Sequence, residues 1–152
     1  MLKASIVEYG LRKMGFETIR TKIEGDKFAQ LMGIQLLDLK EGYSKLAMTV
    51  TGEMLNFHQV AHGGAIFALA DAAFAAASNS HGITAVALSI NISYRSPAKE
   101  GMKLTAEAQE ESLGRRTALY HITVRTEEGR LIASSQGTVY RLPEKDEQPS
   151  HR

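Results

Sequence analysis

The stretch His62-Gly63-Gly64-Ala65-Ile66-Phe67-Ala68-Leu69-Ala70-Asp71-Ala72-Ala73-Phe74-Ala75-Ala76-Ala77-Ser78 decides the fold. After its paired glycines it reads as one long Ala-rich helix, because Ala favours helix and its methyl lets other elements approach closely. The helix is apolar nearly all round, so it is expected to be buried on most sides. Asp71 interrupts it: between Glu53 and Arg95 no other Asp, Glu, Lys or Arg occurs. A lone carboxylate on a buried helix is costly unless something pairs with it or uses it. Capping belongs to the first turn, which a mid-helix residue does not occupy. Two readings stay open, an Asp bonded to nearby backbone and an ionisable group of a functional site.

The 152 residues suit one domain, and 43% hydrophobic residues suffice for a core. A net charge of +1 gives no bulk reason to expect nucleic acid or an anionic membrane as partner. With no Cys there is no disulfide, thiol nucleophile or cysteinyl metal site. The first residues, Met1-Leu2-Lys3-Ala4-Ser5-Ile6-Val7-Glu8, lack the apolar run of a signal peptide, so a cytoplasmic location is expected. The run from Ala65 to Ala77 is too short to span a bilayer.

Working outward, Leu2 to Met14 could form a short amphipathic helix diluted by Gly10, within an N-terminal extension over residues 1–26. Lys27 to Met32 reads as a short helix ended by Gly33. Ile34 to Leu39 and Ser44 to Thr51 read as strands of a hairpin turning at Glu41-Gly42. Beyond the helix, Ser78-Asn79-Ser80-His81-Gly82 is a stop signal, and four strand-like runs follow. The first, Ala85 to Tyr94, alternates Val86, Leu88, Ile90, Ile92 and Tyr94 against Ala87, Ser89, Asn91 and Ser93. The others are Met102 to Glu110, Arg116 to Arg125 and Leu131 to Leu142, and residues 143–152 form a polar tail expected to be disordered. The order is hairpin, buried helix, meander. A helix of about 25 Å and strands of about 33 Å match in length. The class is therefore α+β, a curved antiparallel sheet wrapped around one long central helix in a single domain over residues 27–142.

The combination Met54-Leu55-Asn56-x-His58-Gln59-x-x-His62-Gly63-Gly64-x-x-Phe67-x-Leu69-Ala70-Asp71, continuing through Phe74 to Asn79-Ser80, resembles the signature of the hotdog-fold acyl-CoA thioesterases. The PaaI-type branch of phenylacetate degradation is the most similar one. The likeness runs by element order from Phe28 to Leu142, and the specific block is Asn56 to Ser80. Phe57 is a departure, since that branch often has Gly there, and it bears on the acyl-group preference.

The residues support the same chemistry. The amides of Gly63 and Gly64 open the helix without intrahelical acceptors, and with the helix dipole they suit an oxyanion. Asp71 lies about 12 Å further along the same axis. That is too far for both to act on one carbonyl carbon, so the simplest arrangement is a site between two subunits. The resemblance implies the same, with two sites per homodimer and a possible dimer of dimers. Asp71 is then general base on a water, or nucleophile. Asn56 orients water or Asp71, His62 fixes the loop or bonds near the thioester, and Ser89 resembles a position where relatives hold an assisting hydroxyl. Gly64 and Phe57 are expected to line the substrate, with Phe67 and Phe74 adding apolar wall. Arg95, Lys99, Arg115 and Arg116 are candidate contacts for coenzyme A phosphates.

His58 and His62 have the spacing of a helical metal pair, but no third ligand follows nearby, so no metal or other cofactor is expected. No nucleophile elbow, P-loop or dinucleotide fingerprint occurs. His81 and His121 read as surface or satisfied histidines. The expected activity is hydrolysis of an aryl- or medium-chain acyl-CoA to acid and coenzyme A. Two alternatives are a non-catalytic acyl-CoA sensor and a hydroxyacyl-thioester dehydratase using His62 and Asp71.

Overall fold

The computed structural model describes residues 15–142. The helix expected over Leu2 to Met14 and the tail from Pro143 lie outside the described residues. Residues 15–24 form helix α1. Helix α2 (Lys27–Leu31) starts where Asp26 Oδ1 accepts from the Ala29 amide at 2.9 Å. It stops at Gly33, whose φ of +67° suits a residue without a Cβ. Strands β1 (Gln35–Lys40) and β2 (Tyr43–Thr49) form the expected hairpin through Gly42. A 3-10 turn (Gly52–Met54) leads toward helix α3 (Gly63–Asn79). Strands β3 (Ala85–Tyr94), β4 (Lys103–Leu113), β5 (Thr117–Thr126) and β6 (Leu131–Arg141) complete the chain.

All six strands join one antiparallel sheet in the order β1-β2-β4-β5-β6-β3. Only β4, β5 and β6 form a meander. The expectation that β3 begins it is corrected: β3 crosses to the far side, pairs with β6 and leaves its other edge open. The physical reason is the helix. α3 ends beside Ala85, where the Asn79 side chain bonds the Ala85 backbone in both directions. The chain therefore re-enters the sheet along the flank of α3, and β4 to β6 fill the space between.

α3 touches every strand, so the sheet curves around it. Its inner face holds Leu69, Ala70, Ala73 and Phe74 in full burial. Phe74 meets Tyr120 edge-on at 5.7 Å between ring centroids. Gly137 lies beneath the same ring, with no room for a Cβ. Tyr120 pairs with Gly137, and Gly137 with Ile90, so this cross-strand row faces the helix.

That row also corrects the alternation expected for β3. A bulge between Ala87 and Ser89 shifts the register. Ile90, Ile92 and Tyr94 fall on the helix side, whereas Val86 pairs with Tyr140 on the opposite side. Val86 and Leu88 are 47% and 60% exposed along the open edge. Among the described residues, no helix is long and apolar enough to cross a membrane.

Candidate active site

The loop before α3 is built by Asn56. Its Oδ1 accepts from the amides of His58 (2.9 Å) and Val60 (3.4 Å), and its own amide donates to Val60 O at 2.8 Å. This tight turn forces Gln59 to a φ of +63°. The loop is anchored where Ala61 N–H donates to Ala98 O and His62 N–H to Met54 O. His62 is the N-cap of α3: its Nδ1 accepts from the Gly64 amide at 2.8 Å. The sequence reading of two open amides is therefore corrected. Gly64 N–H is held by the cap, and Gly63 N–H is the one left at the helix start.

Gly63 opens onto a cleft of about 410 Å³ lined by Asn56, Ile66, Tyr94 and Arg95 among others. The cleft brings together three residues singled out from sequence, Asn56, Gly63 and Arg95. It adds one that sequence reasoning placed only in an apolar row, Tyr94. The Tyr94 hydroxyl donates to Gly63 O at 3.0 Å, and its ring lies 3.1 Å from where a Cβ on residue 63 would stand. Burial pushes the Tyr94 hydroxyl up from its ordinary value. Position 94 ends the strand nearest the helix start, which is the signal that could have found it.

Asp71 lies two turns further along α3 and is half-buried. Among the described residues its carboxylate has no hydrogen-bond or ion-pair partner, so the reading of an Asp bonded to local backbone is set aside. Burial raises its pKa above the ordinary aspartate value, because the charged form loses solvation.

Other candidates are dispersed. Phe57 is 87% exposed and stacks on His58 alone, while Phe74 is in the core, so the expected aromatic wall reduces to half-buried Phe67. Ser89 pairs with Thr138 in a row turned away from the helix, so it does not pack against α3. Arg95 and Lys99 follow β3 near Gly63, whereas Arg115 and Arg116 sit in the β4–β5 turn, where the Arg116 carbonyl accepts from Arg141 N–H at the opposite end of β3. His81 is satisfied by Glu110 at 2.6 Å, and His121 meets Ser134.

A curved sheet around one helix, opened by glycines and bearing a lone carboxylate, defines a hotdog protein suited to thioester chemistry. A model of the thioesterase superfamily matches residues 58–133. An Archaeoglobus fulgidus protein described as a candidate esterase is 50% identical over 121 residues, covering 80% of this chain and 79% of that protein. The acyl-coenzyme A thioesterase PaaI of Escherichia coli is 40% identical over 119 residues, covering 78% and 85%. The solved structure of the E. coli PaaI protein from the phenylacetic acid degradation operon superposes with a TM-score of 0.83 at 37% identity, covering 88% of this chain and 96% of that one. The chain belongs to the thioesterase superfamily and is a thioester hydrolase of the PaaI-like kind.

Proposed function

We propose that the protein hydrolyses an aryl- or medium-chain acyl-CoA to the free acid and coenzyme A, at a site shared by two copies of the chain. The observation that carries this is the separation on α3 of an open amide at Gly63 and a partnerless, half-buried carboxylate at Asp71. About 12 Å of helix rise keeps them from one carbonyl within a single chain. A second copy supplies the missing half. The open edge of β3, ten residues long with exposed Val86 and Leu88, is a surface that sheet proteins seldom leave uncovered. Antiparallel pairing of two such edges about a two-fold axis sets the start of one β3 beside the end of the other. It also brings the basic turn holding Arg115 and Arg116 of one copy toward the end of the sheet that bears Arg95 and Lys99 in the other. These four residues then suit the phosphates of coenzyme A.

In the hydrolysis, Asp71 takes a proton from water as the water oxygen bonds to the thioester carbon. Gly63 N–H donates to the oxygen that becomes an oxyanion. As the tetrahedral centre collapses, the carbon–sulfur bond breaks and the coenzyme A thiolate takes the proton from Asp71. With Asp71 as nucleophile, its oxygen bonds to the carbon first, the thiolate leaves, and water then cleaves the mixed anhydride. Incorporation of solvent oxygen-18 into Asp71 during a single turnover distinguishes the two. Asn56 holds the loop that presents Gly63, and His62 holds the helix start by capping Gly64. These steps use side chains, an amide and water, with no metal or prosthetic group.

The test is thiol release from a panel of acyl-CoAs that includes phenylacetyl-CoA, benzoyl-CoA and straight chains. Asp71→Asn is expected to lower the rate by about 100-fold or more, as for loss of a general base. Tight binding without thiol release would favour the sensor reading, and enoyl absorbance the dehydratase.

A further inference from the structure

The sheet leaves one stripe of α3 uncovered. Asp71, Ala75 and Asn79 follow at intervals of four and stack along this face. Ala75 is exposed and its two neighbours on the stripe are half-buried, while Ala73, Phe74, Ala76 and Ala77 are buried. Beyond Asp71 the stripe runs beneath α1. There Ala75 and Asn79 share a cavity of about 340 Å³ with Thr18, Ile19, Lys22 and Ile23 of α1. That volume falls within the range of small-molecule sites. One helical turn, about 6 Å, separates Asp71 from Ala75. The floor is low and fixed. Ala72 and Ala75 carry nothing beyond Cβ, and the Asn79 amide is held by Ala75 O at 2.9 Å and by the Ala85 backbone at 2.9 and 3.1 Å.

We propose that α1 roofs the acyl subsite. The acyl group runs from the thioester at Asp71 along α3, over Ala75, and ends against Ile19 and Ile23, which select acyl groups by length. This inference rests on the acyl-CoA thioesterase reading and adds the element that measures the acyl group. The occupant is apolar and long enough to pass a helical turn, such as a medium straight chain or a ring on a short linker. The shortest acyl groups end before α1 and do not sense it.

The test compares native protein with Ile19→Trp, which fills the cavity, and Ile19→Ala, which enlarges it. The readout is kcat/KM for acyl-CoAs from the shortest that is cleaved up to long chains, with phenylacetyl-CoA included. Ile19→Trp is expected to lose about 10-fold or more on medium-chain and phenylacetyl substrates and less than about 2-fold on the shortest, as for a pocket deprived of several methylenes. Ile19→Ala moves the preferred length upward, and this carries the test alone if the Trp variant fails to fold by circular dichroism. Length profiles parallel to that of an active native protein would overturn the subsite alone. Native protein that releases thiol from no acyl-CoA would overturn the enzyme reading, and the subsite with it.

Discussion

Gly63→Ala separates the chemistry of the α3 start from its stability. Gly63 is the first residue of α3 and its φ is not in the left-handed region, so Ala can keep the same backbone. In a helix interior Ala exceeds Gly by about 0.8–1.0 kcal/mol, and at a helix start by less. Against that gain, the new methyl stands 3.1 Å from Tyr94 Cζ and 3.2 Å from its hydroxyl oxygen. Tyr94 is 51% exposed, so its ring tip can yield by the few tenths of an ångström required. The two effects offset, and the net change in stability is expected to stay within about 1 kcal/mol, a few degrees in Tm for a domain of this size. Activity responds differently. The methyl stands beside the amide that a thioester carbonyl must reach, and losing one oxyanion donor costs about 10²–10³ in kcat. Thiol release and a thermal melt on the same preparation should show kcat/KM lower by about 100-fold with Tm held. Native kcat/KM in Gly63→Ala would refute the assignment of this amide, and a collapsed melt would refute the packing argument.

The raised pKa of Asp71 fixes two further outcomes. The rising limb of kcat/KM against pH should lie above the range of a solvated aspartate, because the base works ionised. The sign for stability is opposite: a carboxyl raised in the folded state contributes fully below its unfolded value of 3.8 and loses that contribution as pH rises through the folded value. At neutral pH, Asp71→Asn should therefore melt no lower than native protein while losing activity. Gly137→Ala would place a methyl 2.6–2.9 Å from three Phe74 ring atoms; overpacking of this kind costs about 1–3 kcal/mol and should lower Tm in a melt. Asn56→Ala removes the acceptor for two loop amides and should reduce kcat/KM well before it reduces Tm, since the loop presents Gly63 rather than filling the core. Dialysis against a chelator should leave the rate of thiol release unchanged.

Most of the fold was legible because its signals are local. The α3 stretch, the stop at Gly33 and the turn at Gly42 follow from helix propensity and from glycines at positive φ. Strand order was not legible, since the crossing of β3 to β6 depends on where α3 ends relative to the sheet. The bulge at Leu88 was hidden for a related reason: a strictly alternating sequence carries no mark of an extra residue. At the site, Gly63 and Asp71 stood out by residue type. The loss of Gly64 N–H to His62 Nδ1 was not visible, because His is not among the strongly preferred caps. Tyr94 reaches Gly63 across 31 residues of chain, and no spacing rule connects the two.

The central claim is that one copy supplies Gly63 and another supplies Asp71. Subunit complementation tests it most directly. Asp71→Asn and Gly63→Val, each inactive alone, are unfolded together, refolded as a mixture and assayed for thiol release. In a two-fold dimer, random mixing makes hybrids that carry one intact site, and activity should return to about a quarter of native. A mixture no more active than either parent would contradict the shared site and place Gly63 and Asp71 in the service of one chain.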